Sequence, residues 1–318
     1  MILNLTVISS DIIIGAYVVV GIYALSVIIS TLICSLIMYI TCVIPHLRTP
    51  INILVINTCL CTLFFAGVST IFTICFFVQS MSTDWWCRIR GYLCYVAICL
   101  LNYSLVIQAI SRFLGTALYK YRQLLTMKSN VYLVLIQLVL CLIFPLSTLI
   151  TKDITFRPFE LCFIPSRYQA HNLYLLIIDY CVPILVVVIL YVIIYRKTIT
   201  SSVNTRRSVQ NAKRDRELAQ NILILLGISL FGGFPFCVFV LLSGQIDCLP
   251  LIFYFFAITT PAISIILEKL AIVVLHKEIR TTIKRRWIAY YNHCRILNRI
   301  VPFSSADNTR GTTNRIIT

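Results

Sequence analysis

Seven stretches of the chain are too long and too apolar for water to be their solvent: residues 12–44, 51–77, 89–118, 131–150, 173–195, 222–242 and 249–275. A helix rises about 1.5 Å per residue and a bilayer's hydrocarbon core is about 30 Å thick, so each run can cross it as one helix. Composition agrees. Hydrophobic residues make up 59% and charged residues 12%, and the mean hydropathy is +0.93; a soluble domain carries roughly a quarter charged residues. The expected fold is an all-α integral membrane bundle of seven transmembrane helices, followed by a short amphipathic eighth helix.

An odd number of spans puts the two termini on opposite sides. With the N-terminus outside, the inner loops, inner helix ends and tail hold 22 basic residues, and the outer side keeps five: Arg88, Arg90, Lys152, Arg157 and Arg167. Basic residues collect on the cytoplasmic side of a membrane protein. The chain is therefore read as a multi-pass membrane protein with its N-terminus outside. Residues 1–11 form an extracellular N-terminus, 12–275 the seven spans, 276–293 the amphipathic helix, and 294–318 a disordered cytoplasmic tail. No charged segment precedes the first run, which is also too long for a cleaved signal, so it is expected to insert as its own signal. The net charge of +16 needs no nucleic acid, because clusters such as Lys284-Arg285-Arg286 can meet anionic lipid or an acidic partner.

Of the fourteen cysteines, ten lie inside apolar runs, where a thiol behaves as a small hydrophobe. Cys87, at the mouth of the third run, and Cys162, in the long second outer loop, are the pair read as bonded across an oxidising face. Cys248 is left as a free thiol or bonded near a helix mouth. Arg112 follows Cys87 by 25 residues, one membrane thickness, so the two stand at opposite faces.

That spacing, with the second-loop cysteine, resembles the rhodopsin-like (class A) G-protein-coupled receptors, and the resemblance covers nearly the whole chain. Leu47-Arg48-Thr49-Pro50-Ile51-Asn52 is similar to the family's first inner loop, Pro183 with Tyr191 to its fifth helix, Phe234-Pro235-Phe236 to its sixth-helix proline, and His276-Lys277-Glu278-Ile279-Arg280 to the start of its eighth helix. The resemblance implies a receptor that passes an extracellular signal to a heterotrimeric G protein by movement of the sixth helix, with Arg112 as the switch. No enzyme activity or cofactor is implied. The sequence has no phosphate loop, nucleophile elbow or metal-spaced histidine cluster. A receptor fold that no longer signals, and a transporter, are the alternative readings.

The departures from the family are specific. Its Asp-Arg-Tyr is here Ser111-Arg112-Phe113, its buried aspartate falls on Thr62, and its first-helix asparagine falls near Cys34. The sixth-helix tryptophan motif is Gly232-Gly233-Phe234-Pro235, an easily bent segment in which Phe231 or Phe234 is the candidate stand-in. The Asn-Pro motif of the seventh helix falls on Glu268-Lys269, charges that snorkel inward, pair locally or meet Arg112. Asp215, on the sixth helix, is either a lock that holds Arg112 at rest or a member of solvated helix pairs. In the lock reading, Tyr191 accepts Arg112 once helix six has moved.

On the ligand side, Cys94 occupies the place of the aspartate in amine receptors, so an amine is not expected, and by analogy with the family the polar second outer loop, with Arg157, Glu160 and Arg167, favours a peptide. Asp179 is the acid in the outer half of the bundle. It meets a basic ligand group or pairs with Arg167, His171 or Tyr180. Cys94, Asp179 and Phe234 are the pocket candidates. Ile279, Ile283 and Trp287 recur at helical spacing opposite Lys277, Arg280 and Lys284, the pattern of a helix lying on lipid. Cys294 beyond it is palmitoylated or a free thiol, and Asn4-Leu5-Thr6 is a glycosylation sequon.

Overall fold

The computed structural model describes residues 10–45, 49–77, 83–116, 126–154, 164–165, 168–203, 209–243, 251–275, 280–285, 288 and 291. Among them there is no strand. The helices are α1 (Ser10–Val43), α2 (Pro50–Phe77), α3 (Asp84–Thr116), α4 (Met127–Ile143), α5 (Leu146–Thr151), α6 (Gln169–Leu176), α7 (Val182–Val203), α8 (Val209–Ser243) and α9 (Leu251–Leu275), with a π-helical turn (Ile177–Cys181) joining α6 to α7. Six helical stretches are long and apolar enough to cross a membrane. The 25-residue α9 packs against α8 and α1.

Local chemistry explains the boundaries. Pro50 opens α2, where a missing N–H costs nothing, and the Thr49 hydroxyl accepts from Asn52 N–H at 3.4 Å. Thr126 does the same for Ser129 N–H at the start of α4. The fourth apolar run is broken once, before Pro145, whose ring cannot continue the ladder of α4. Lys152, at φ 60°, ends α5 in the left-handed region that a lysine rarely enters.

Polarity is arranged inside out. The faces left open are apolar: Val18, Leu25 and Leu32 on α1, and Tyr132, Leu135 and Ile136 on α4 are all at least half exposed. The interior collects polar side chains instead. Asn57 donates to Gln137 Oε1 at 2.8 Å, Gln137 donates to the Leu100 carbonyl at 2.9 Å, and Gln108 donates to the Thr58 hydroxyl at 2.6 Å, tying α2, α3 and α4 together. Hydrocarbon offers no gain for hiding leucine but penalises an unpaired amide, so this partition is the one expected in a membrane.

Candidate functional site

At one end of α3 stands Cys87, buried and disulfide-bonded. Cys162, the expected partner, lies outside the described residues, as do Cys248, Cys294 and Asn4. At the other end Arg112 is half-buried, and its guanidinium faces the phenol oxygen of Tyr191, 6% exposed on α7. Ser111, in the place where the resemblance expects an acid, is engaged by α4. Its hydroxyl reaches Asn130 Oδ1 on α4 at 3.4 Å, and both residues are buried. The side chain of Asp215, on α8, lies outside the described residues, so the proposed lock with Arg112 is not part of the described geometry.

The seventh apolar run decides between readings that the sequence leaves open. Lys269 does not snorkel: it is 0% exposed, with its ammonium 2.6 Å from Glu268 Oε1. The thiols of Cys34 on α1 and Cys59 on α2 lie beside it. Both belong to a buried cluster with Val55, Leu225 and Ile272. The stem cannot lift the charge to an interface from there, because α1 and α2 close over it. The Thr62 hydroxyl, at the family's acid position, donates to the Thr58 carbonyl of its own helix at 2.9 Å. The sequence signal for this interior charge is a Glu-Lys dipeptide inside a run that holds no other charge.

Gly232 and Gly233 make contacts rather than a loose joint. A Cβ on Gly232 would overlap Ser264 of α9, and one on Gly233 would overlap the Tyr180 ring. With the two glycines turned inward, successive helical positions rotate outward. Phe231 is 59% and Phe234 65% exposed, so Phe234, expected at the pocket, does not line the interior, which corrects that expectation. Two hydroxyls hold the segment that precedes Pro235. Ser264 donates to the Ile228 carbonyl at 2.7 Å, and Tyr180 to the Leu230 carbonyl at 3.2 Å.

Cys94 is buried with Val68, Phe72 and Tyr95 in a closed apolar cluster near Cys87. Asp179 sits in the π turn, 4% exposed. Asn102 donates to the Asp179 carbonyl at 2.7 Å and Tyr103 to the Ile178 carbonyl at 3.2 Å, so side chains of α3 satisfy the carbonyls that the π turn takes out of the α-helical ladder. Of the partners expected for its carboxylate, His171 is held instead by Asp153, the Tyr180 hydroxyl donates to the Leu230 carbonyl of α8, and Arg167 lies outside the described residues. A search against protein-family models finds no match for the chain, and neither does a search against curated proteins.

Proposed function

We propose that the chain is a divergent rhodopsin-like receptor, carrying an extracellular signal to a heterotrimeric G protein through movement of α8. The observation that carries this reading is the meeting of Arg112 with Tyr191 at one end of α3, one membrane thickness from the disulfide-bonded Cys87 at the other. In this reading α9 is the seventh span, and the Cys87 end faces outward at the plasma membrane. The helical stretch 280–285 begins the amphipathic eighth helix. Its Arg280 donates to the Val274 carbonyl at 3.2 Å, at the end of α9, and Ile283 packs on the cluster beside Cys34. The ligand is extracellular and of peptide type. Pro235, inside α8, and the two hydroxyls that hold the carbonyls before it supply a bend that can be latched and released.

The test is nucleotide exchange on a panel of purified G proteins by the full chain in lipid nanodiscs. Exchange above that of empty discs, lost in Arg112→Ala, supports the reading. A second reading, membrane transport, is favoured by the buried Lys269–Glu268 pair, since charges inside a bundle mark ion and substrate pathways. A flux assay in sealed vesicles separates the two.

A further inference from the structure

The carboxylate of Asp179 has no account in the fold around it. Both oxygens are buried, and among the described residues neither accepts a hydrogen bond of ordinary geometry. The Cys99 thiol lies alongside, but a thiol is a weak donor. A buried charge left unpaired is costly, and ionisable groups inside a bundle mark places where a ligand or ion is met.

The surroundings are built to hold the carboxylate there. Asn102 and Tyr103 fix the π turn through its carbonyls, so Asp179 is held inward rather than strayed inward. Tyr103 is braced by the Phe144 ring, 5.7 Å away between centroids. Tyr95, one turn of α3 nearer Cys87 than Cys99, is also in electrostatic range of the carboxylate, and its phenol oxygen accepts from the Ile164 N–H at 3.4 Å. Asn102 is fifteen residues beyond Cys87, so the site lies about 22 Å along α3, near the middle of the bundle.

We infer that Asp179 is the counter-ion for an ammonium or guanidinium group presented by a ligand. Two features select an organic cation over a metal ion. A hard cation asks for six or more oxygens, and the described residues hold no group of three or more His, Cys, Asp or Glu side chains placed to share an ion. Within electrostatic range of the carboxylate are one thiol, Cys99, and two phenols, Tyr95 and Tyr103, and aromatic side chains suit an organic cation. That the occupant is the activating ligand rests on the receptor reading. That the site takes a cation does not.

The experiment uses the full chain in nanodiscs and three probes. Nα-acetyl-arginine amide and Nα-acetyl-lysine amide carry one cationic group each, and Nα-acetyl-citrulline amide replaces the guanidinium by a neutral urea of nearly the same shape. We expect the cationic probes to bind at least about tenfold more tightly than the urea, the scale of a charge-assisted hydrogen bond, and this preference to vanish in Asp179→Asn. An equal preference in the variant overturns the proposal. So does saturation of the site by sodium chloride and not by choline chloride, which would make it an inorganic cation site.

A second measurement needs no variant. Labelling of Asp179 by a hydrophobic carbodiimide, read by mass spectrometry, should be blocked by the arginine amide and not by the citrulline amide. Equal labelling with the two probes overturns the proposal. Blocked labelling with no change in nucleotide exchange leaves the cation site standing while the receptor reading fails. Exchange that rises with the arginine amide equally in wild type and Asp179→Asn leaves the receptor reading standing and removes the site.

Discussion

Lys269 and Glu268 are neighbours in sequence, yet both side chains are turned into the bundle, with ammonium and carboxylate 2.6 Å apart. Breaking one half of a buried pair strands the other charge, at a typical cost of about 3–5 kcal/mol. Lys269→Ala should therefore lower the unfolding temperature of the protein in detergent sharply. The double variant Lys269→Met with Glu268→Leu should recover most of the loss, because an apolar pair of similar volume needs no compensation. A double variant as unstable as the single one would show that the charges answer to some other group.

The glycines of α8 give a paired test. Gly233→Ala pushes a methyl group into the Tyr180 ring and Gly232→Ala pushes one into Ser264; overpacking of this kind costs about 1–3 kcal/mol. Gly227, on the same helix, has open space around it, so Gly227→Ala should instead stabilise by about 0.5–1 kcal/mol through helix propensity. Thermal unfolding of the three variants should order them accordingly. If all three behave alike, the close approach of α8 to Tyr180 and Ser264 is wrong.

Tyr180→Phe and Ser264→Ala remove the hydroxyls that hold the carbonyls before Pro235. Each should cost about 1 kcal/mol of stability and loosen the end of α8 beyond the proline. Spin labels across that point should report a broader distance distribution in the double variant. An unchanged distribution would mean that the bend is held by packing alone.

The helices were legible in the sequence because hydrocarbon imposes a length and excludes charge, and nearly all described residues of each apolar run are helical. The Pro145 interruption reflects a local rule, the missing N–H, that run length does not register. Rotation about each helix axis was less legible. Lipid and protein interior are both apolar, so Phe234 on the outside and Gly233 on the inside leave no contrast in hydropathy. Polar side chains mark the interior better: Asn57, Gln108 and Gln137 are all buried and bonded. The placement of Lys269 stays open in the sequence for a related reason. Its depth along the chain allows snorkelling, and only the packing of α1 and α2 over it shows that no path to an interface remains.

Arg112 faces Tyr191, and on the proposed receptor reading Tyr191→Phe should alter signalling with little effect on folding. Loss of one phenol hydroxyl costs about 1 kcal/mol while removing the acceptor that holds the guanidinium. Nucleotide exchange should change severalfold at constant unfolding temperature. Exchange identical to wild type would assign Tyr191 to packing alone.

The most direct test of the receptor reading is guanine-nucleotide exchange by the purified full chain in nanodiscs, measured for wild type, Arg112→Ala and Asp215→Asn against a panel of heterotrimeric G proteins. The account predicts exchange above empty discs with at least one G protein, its loss in Arg112→Ala, and a rise in Asp215→Asn if the acid restrains the arginine at rest. Exchange no higher than that of empty discs with every G protein, from protein shown to be folded by its thermal unfolding, would contradict it.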